Sequence, residues 1–242
     1  MRHPGPVYEL SADVYDLMHR ARGKDYAVEA TQVSREVRAR HPGASSLLDV
    51  ACGTGSHLVH LRRHFSVSGV ELASSMLEVA RGRLPDVELH AGDMRTFDMG
   101  RRYDAVICLF SAIGYMLRRA DLDLAMATMA RHLSPGGVLV VEPWFHPEQW
   151  FDGHVVADAA NEAGLAVARV SRSTRDGNIS RFEFHYAVAR PEGIDTFMEP
   201  HVMGLWTVEE YSAAMQSTGL AVEHDPVGLI GRGLFIGVAP TD

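Results

Sequence analysis

Cysteine is scarce in this chain, and a basic surplus, a long apolar run, internal repeats and low-complexity tracts are all missing. Two thiols, Cys52 and Cys108, are too few for a disulfide framework. One falls in a glycine turn and the other in an apolar strand pattern, so both read as small buried thiols of a reducing compartment. A net charge of -8 argues against a nucleic-acid backbone as partner, which demands a basic face. The pairs Arg62-Arg63, Arg101-Arg102 and Arg118-Arg119 read as solvated helix ends and loops. No stretch approaches the ~20 apolar residues of a membrane span. The start, Met1 to Pro6, lacks the apolar core of a secretion signal. A cytoplasmic protein without membrane or nucleic-acid partners is the simplest expectation.

Glycine is plentiful where it matters. Leu47-Leu48-Asp49-Val50-Ala51 is an apolar strand pattern, Cys52-Gly53-Thr54-Gly55 is a turn, and Ser56 opens a helix. Glycine lets a backbone approach a ligand and take dihedrals that a side chain forbids. The residues after Gly55 are Ser-His-Leu, so the third glycine of a dinucleotide fingerprint is missing and a nicotinamide dehydrogenase is disfavoured. No lysine follows the turn, which excludes a P-loop. Asp49-x-x-x-Gly53-x-Gly55 instead resembles the signature of the Rossmann-like S-adenosylmethionine-dependent methyltransferases.

The rest of the chain supports a doubly wound fold. Residues 8–40 carry helical spacing that ends at His41-Pro42-Gly43. Strand patterns follow at 47–51, 66–71, 87–90, 103–110 and 137–142, separated by helical stretches such as the one opened by Ser74 as a capping residue. Alternation of this kind means a parallel sheet covered on both faces. Beyond Pro143 the period changes to two. Residues 165–172 and 179–186 read as a hairpin about Asp176-Gly177-Asn178, with a third strand near 196–206. Thr207 and Glu210 form a capping box for a helix, and 221–225 and 233–239 supply two closing strands. The expected fold class is α/β: a doubly wound Rossmann-like methyltransferase sheet with an antiparallel β insertion after the fifth strand. Residues 1–143 and 207–242 would form the cofactor domain with an N-terminal helical lid, and 144–206 a platform. His57, His60 and His64 recur on one helix side, where a solvated face is favoured over a metal site, and no metal is expected.

Several motifs bring the resemblance closer. Val14-Tyr15-Asp16-Leu17, Gly23-Lys24-Asp25-Tyr26, Asp49 to Gly55, Phe110-Ser111-Ala112-Ile113-Gly114, Val141-Glu142-Pro143-Trp144 and Gly231-Arg232-Gly233-Leu234-Phe235 together resemble the TDP-amino-sugar N,N-dimethyltransferases of antibiotic biosynthesis. The resemblance implies S-adenosylmethionine as cofactor and a TDP-amino sugar as substrate, methylated on nitrogen. It places Gly53 and Gly55 against the amino-acid part of the cofactor, with Asp49, Ala51 and Leu72 also among the cofactor-binding residues. Glu71 would meet its ribose, Asp93 and Met94 its adenine, and Leu109 its sulfonium. Tyr15 and Tyr26 would close over it, with core packing as their competing use. Tyr8, Ser111, Trp144, Phe145 and Pro147 would line the sugar pocket and Arg232 would approach the phosphates, with a plain surface turn as the alternative.

The platform carries Arg169, Arg172, Arg175 and Arg181, and guanidinium suits phosphate oxygens. In strand register Arg169, Ser171 and Ser173 share a face and Arg172 points away, so at most two of the four arginines would meet a diphosphate. Arg169, Ser171 and Arg181 are the candidates. Pairing of two platforms edge to edge in a homodimer is a competing or additional use. One position departs from the family pattern. Where a Ser-Ser-Ile-Gly-His run is expected, this chain has Ser111-Ala112-Ile113-Gly114-Tyr115. A phenol with a reference pKa of about 10 is a poor base, so Tyr115 is expected to orient the amine while proximity drives the transfer. A methyltransferase for another small acceptor, or a silent binding subunit, are the rival readings.

Overall fold

The computed structural model describes residues 7–241; the first six, read above for a secretion signal, lie outside it. The central sheet has seven strands in the order β10-β11-β5-β4-β1-β2-β3. They are β1 (Ser46–Val50), β2 (Ser66–Glu71), β3 (Glu88–Ala91), β4 (Tyr103–Cys108), β5 (Leu133–Val141), β10 (Ala221–Asp225) and β11 (Leu234–Val238). β11 alone runs opposite in direction to the other six. Side chains alternate between the two faces and both are dry, as helices on each side require. Leu48, Val50, Val106 and Leu139 pack under α5 (Arg119–Arg131) and α6 (Val208–Gln216). Leu47, Ile107, Val138 and Val140 pack under α2 (Tyr26–Arg40), α3 (Ser56–Leu61) and α4 (Ser74–Arg83). Each fully buried Leu or Val contributes ~1.5–3 kcal/mol, so the turns at the strand ends stand on a well-packed core.

A second sheet of four antiparallel strands follows β5, in the order β6-β7-β8-β9. These are β6 (Val155–Glu162), β7 (Leu165–Asp176), β8 (Ile179–Arg190) and β9 (Gly193–Gly204). Sequence patterning gave the β7-β8 hairpin and the later part of β9 but missed β6, whose Ala-Asp-Ala-Ala-Asn run has few β-branched residues to signal a strand. The inner face of this platform carries Val167, Tyr186 and Val188, and α1 (Tyr15–Ala21) packs on them through Val14 and Met18.

The helical stretch expected over 8–40 is broken. Gly23 takes φ +86° between α1 and α2, and the Asp25 carboxylate accepts the amides of Ala27 and Val28, both at 3.0 Å, to start α2 afresh. Ser74 does not cap α4 with its own side chain. The Glu9 carboxylate does so from outside, accepting the Ser74 amide at 2.9 Å and the Ser75 amide at 3.1 Å. The Thr207–Glu210 capping box is present at α6. His57 is buried, not solvated, with Nε2 2.8 Å from Glu29 Oε2. Among the described residues no helix is long and apolar enough to cross a membrane, and no cluster of ligating side chains suits a metal.

Candidate active site

Strand order reverses between β1 and β4, and a crevice at such a switch point is where doubly wound sheets take ligands. Both strands end in strained backbone there. Ala51 after β1 and Phe110 and Ser111 after β4 hold positive φ without being glycine, a cost of about 1–3 kcal/mol each that marks a constrained site. One cavity opens at this point. Its floor is formed by Ala51, Gly53, Glu71, Leu72, Asp93, Met94 and Leu109, all at or just past strand ends.

Buried acid surrounds the glycine turn. Glu71 Oε2 accepts the Gly53 amide at 2.8 Å, and its Oε1 accepts the Leu72 and Ala73 amides, also at 2.8 Å. Burial nevertheless raises the Glu71 carboxyl above its usual range, with those amides opposing. Asp49 is buried behind the turn with Oδ2 unpartnered, and burial with the Glu71 charge raises its pKa further. Buried carboxylates without a countercharge are costly. A cationic ligand carrying hydrogen-bond donors would relieve them, which is the character of S-adenosylmethionine with its ammonium and sulfonium. Gly53 lines the cavity at φ +56°, and a Cβ there would meet no protein atom within 4 Å. Asp93 is held by Arg95, whose amide and Nε both donate to Oδ1 at 2.9 Å. Gly55 is not on the wall; at φ +75° it starts α3 against Leu84 and Ala80 of the α4 region.

The opposite wall is aromatic and cationic. Tyr8, Tyr15, His19 and Arg22 come from the N-terminal segment and α1, Tyr115 and Trp144 from the loops after β4 and β5, Phe182 and Phe184 from β8, and Arg232 from the loop before β11. Arg232 donates to Ser111 Oγ at 2.8 Å, and Ser111 donates in turn to the Pro143 carbonyl at 2.6 Å. The guanidinium lies over Trp144 at 4.8 Å and Phe145 at 4.6 Å. Burial, followed by the cations Arg169, Lys24, Arg22 and Arg232, pushes His19 down to about 3, so it is neutral. Tyr115 holds its hydroxyl 3.1 Å from Tyr8 and 2.9 Å from Nδ1 of His201 on β9.

Several expected residues stand elsewhere. Tyr26 lies behind the wall, bonded to Asp16 at 3.2 Å, where Asp16 also takes Thr54 at 2.9 Å and Arg83 at 2.7 Å; its phenol ties α1 and α2 to the glycine turn. Ser111 and Phe145 reach the cavity through Arg232. Pro147 is off the wall, its carbonyl accepting Arg175 at 2.7 Å. Arg169 has the expected inward face but is buried in an ion pair with Asp158 at 2.7 Å, stacked over Phe184. Ser171 shares that face away from the cavity. Arg181 is on the outer face, because Phe182 and Phe184 take the inner positions of β8. His19, Arg22, Phe182, Phe184 and His201 were missed. Period-two spacing from Arg169 across paired strands could have flagged the last three, since each falls on the inner face.

A family model described as a methyltransferase domain matches residues 47–137. A dTDP-3-amino-3,4,6-trideoxy-alpha-D-glucopyranose N,N-dimethyltransferase of Streptomyces venezuelae is 51% identical over 235 residues, spanning 96% of this chain and 99% of the relative. This chain belongs to the TDP-amino-sugar N,N-dimethyltransferases. The family also includes a dTDP-4-amino-2,3,4,6-tetradeoxy-D-glucose N,N-dimethyltransferase of Saccharopolyspora spinosa, 45% identical over 94% of this chain and 92% of the relative. The S-adenosylmethionine-bound structure of an amino pentose methyltransferase of calicheamicin biosynthesis, from Micromonospora echinaspora, superposes with a TM-score of 0.85. It is 47% identical, covering 93% of this chain and 96% of that one. The family membership makes the present dimethyltransferase S-adenosylmethionine-dependent, with the fold class expected from its sequence.

Proposed function

We propose that this enzyme transfers methyl groups from S-adenosylmethionine to the amino group of a TDP-linked amino deoxysugar, twice in succession, within antibiotic biosynthesis. The observation that carries this is that one cavity holds both halves of the chemistry. One end joins the glycine turn to buried acids, and the other joins aromatic rings to Arg22 and Arg232. The cofactor supplies an electrophilic methyl on its sulfonium. Asp49, Ala51, Gly53, Glu71, Leu72, Asp93, Met94 and Leu109 would hold it, with Gly55 setting the turn and Tyr15 closing over it. Arg22 and Arg232 would take the diphosphate, in place of the platform arginines. Tyr8, Tyr115 and Trp144 would frame the sugar.

These residues position and exclude water; none need act as a strong base. An amine that has lost its proton to solvent is already nucleophilic, and oriented reactants gain about 7–11 kcal/mol. His19, kept neutral among cations, adds no further positive charge to the cavity. Two copies paired edge to edge through the platform, in the cytoplasm, complete the proposal. Apolar side chains exposed on the edge strands β6 and β9, Val155 at 70% and Ile194 at 72%, support that pairing. The test compares a TDP-amino sugar with the same sugar lacking TDP, following product mass. Methylation of the nucleotide-linked sugar alone supports the proposal; indifference to the nucleotide would favour another small acceptor.

A further inference from the structure

The Tyr115 hydroxyl is not alone in the wall. Behind it stands His201, a histidine 1% exposed whose polar surroundings consist of one contact, Nδ1 to Tyr115 at 2.9 Å. Its other nitrogen, Nε2, is buried with no hydrogen-bond partner. The imidazole is gripped by rings: Phe182 is stacked on it at 4.9 Å with planes 8° apart, Phe184 is tilted at 4.8 Å, and Tyr8 at 4.7 Å. Burying a histidine so fully for a single hydrogen bond is unfavourable, and here that one bond falls on a hydroxyl of the cavity wall.

Resting on the amine-methylation reading above, we infer that His201 is a positioning residue: its Nδ1 takes the Tyr115 hydroxyl hydrogen, so that Tyr115 offers the substrate amine an acceptor and no donor. The chemistry is specific to an amine nucleophile. A phenol free to donate would hydrogen-bond the nitrogen lone pair, the electron pair that must attack the methyl. The one Tyr115 hydrogen has two acceptors in reach, the Tyr8 oxygen at 3.1 Å and His201 Nδ1 at 2.9 Å; given to His201, it leaves the Tyr115 lone pairs for an amine N–H. The amine is then held by its hydrogens with its lone pair free. A secondary amine still has one N–H to give, so the arrangement serves both transfers.

Acceptor strength also selects the tautomer. An imidazole nitrogen is a stronger acceptor than a phenol oxygen and is the nearer of the two, which puts the Tyr115 hydrogen on the Nδ1 side and the ring hydrogen on Nε2. Burial pushes His201 down to about 3, which keeps it a neutral acceptor through the pH range in which amines are methylated.

The direct test is 15N NMR of histidine-labelled protein without ligands. The expected result is His201 protonated at Nε2 and bare at Nδ1; a hydrogen on Nδ1 would overturn the inference, since His201 would then be the donor. Kinetics give the second readout. His201→Leu should lower kcat about tenfold, the equivalent of ~1.4 kcal/mol, with KM for the TDP-amino sugar and Kd for the cofactor unchanged. His201→Asn, which replaces the acceptor near Nδ1, should restore most of the rate. The double variant His201→Leu/Tyr115→Phe should be no slower than Tyr115→Phe alone. Independent, multiplying losses, or a His201→Leu defect confined to KM, would contradict the positioning role. A wild-type protein that methylates no amino sugar would sink the functional reading, while the NMR tautomer would still decide the role of His201.

Discussion

Arg232 is the residue on which substrate recognition turns. It is the cation of the loop before β11 that faces the cavity, fixed by Ser111 and two aromatic rings. Arg232→Ala should raise KM for the nucleotide sugar by about 10- to 100-fold, the size of a lost charged hydrogen bond, with cofactor Kd little changed. Arg232→Lys should rescue poorly, because an ammonium cannot keep both the Ser111 bond and the stacked geometry. Tyr115→Phe should slow turnover about tenfold without abolishing it, since orientation and not proton abstraction is at stake. Loss of all turnover with both ligands still bound would mean an essential phenol. The acids and glycines of this site were legible because each lies within a few residues of its strand. His201 was not, because its partner is 86 positions away and only the β8–β9 register brings it there.

At the scale of elements, the N-terminal segment is fastened to both halves of the molecule. Glu9 caps α4 beside the cofactor end, and Glu199 of β9 accepts the Leu10 amide at 2.9 Å and the Ser11 hydroxyl at 2.6 Å. The Ser75 hydroxyl, with the amides of Ser74 and Ser75, holds the Glu9 carboxyl below its usual range. A lowered pKa has a definite sign: the contact is fully formed above the ordinary Glu value of about 4.3 and is lost as pH falls through the folded value. Protection of the amides of residues 7–14 against hydrogen exchange, taken relative to their intrinsic rates, should therefore fall in acid, and Glu9→Gln should give the same loosening at neutral pH. A second prediction concerns the glycine turn. Gly55→Ala would place a Cβ 3.0 Å from Leu84 Cδ1 in a left-handed conformation, and should cost about 1–3 kcal/mol in denaturant unfolding. The need for glycine there was plain from the motif, whereas the break at Gly23 and the external cap on α4 were hidden, since both depend on contacts made across the fold.

At the scale of the whole molecule, two sheets meet over one cavity, and neither encloses it alone. The doubly wound sheet supplies acids and a glycine turn; the platform supplies rings, and the N-terminal segment seals the seam. Alternating period was enough to foresee both sheets, but the platform's charges were misassigned. Arg169 looked free in sequence and is paired with Asp158 of β6, the strand that patterning did not reveal. Edge pairing of platforms should give a dimer by sedimentation equilibrium, weakened by Val155→Lys or Ile194→Lys on whichever edge is used, with an unchanged fold by circular dichroism. The most direct test of the whole is transfer from methyl-labelled S-adenosylmethionine to TDP-3-amino and TDP-4-amino sugars, with the position of the label read by NMR. The expected result is one and then two labelled methyls on the sugar nitrogen; label on oxygen, or none on any sugar while the cofactor still binds, would contradict it.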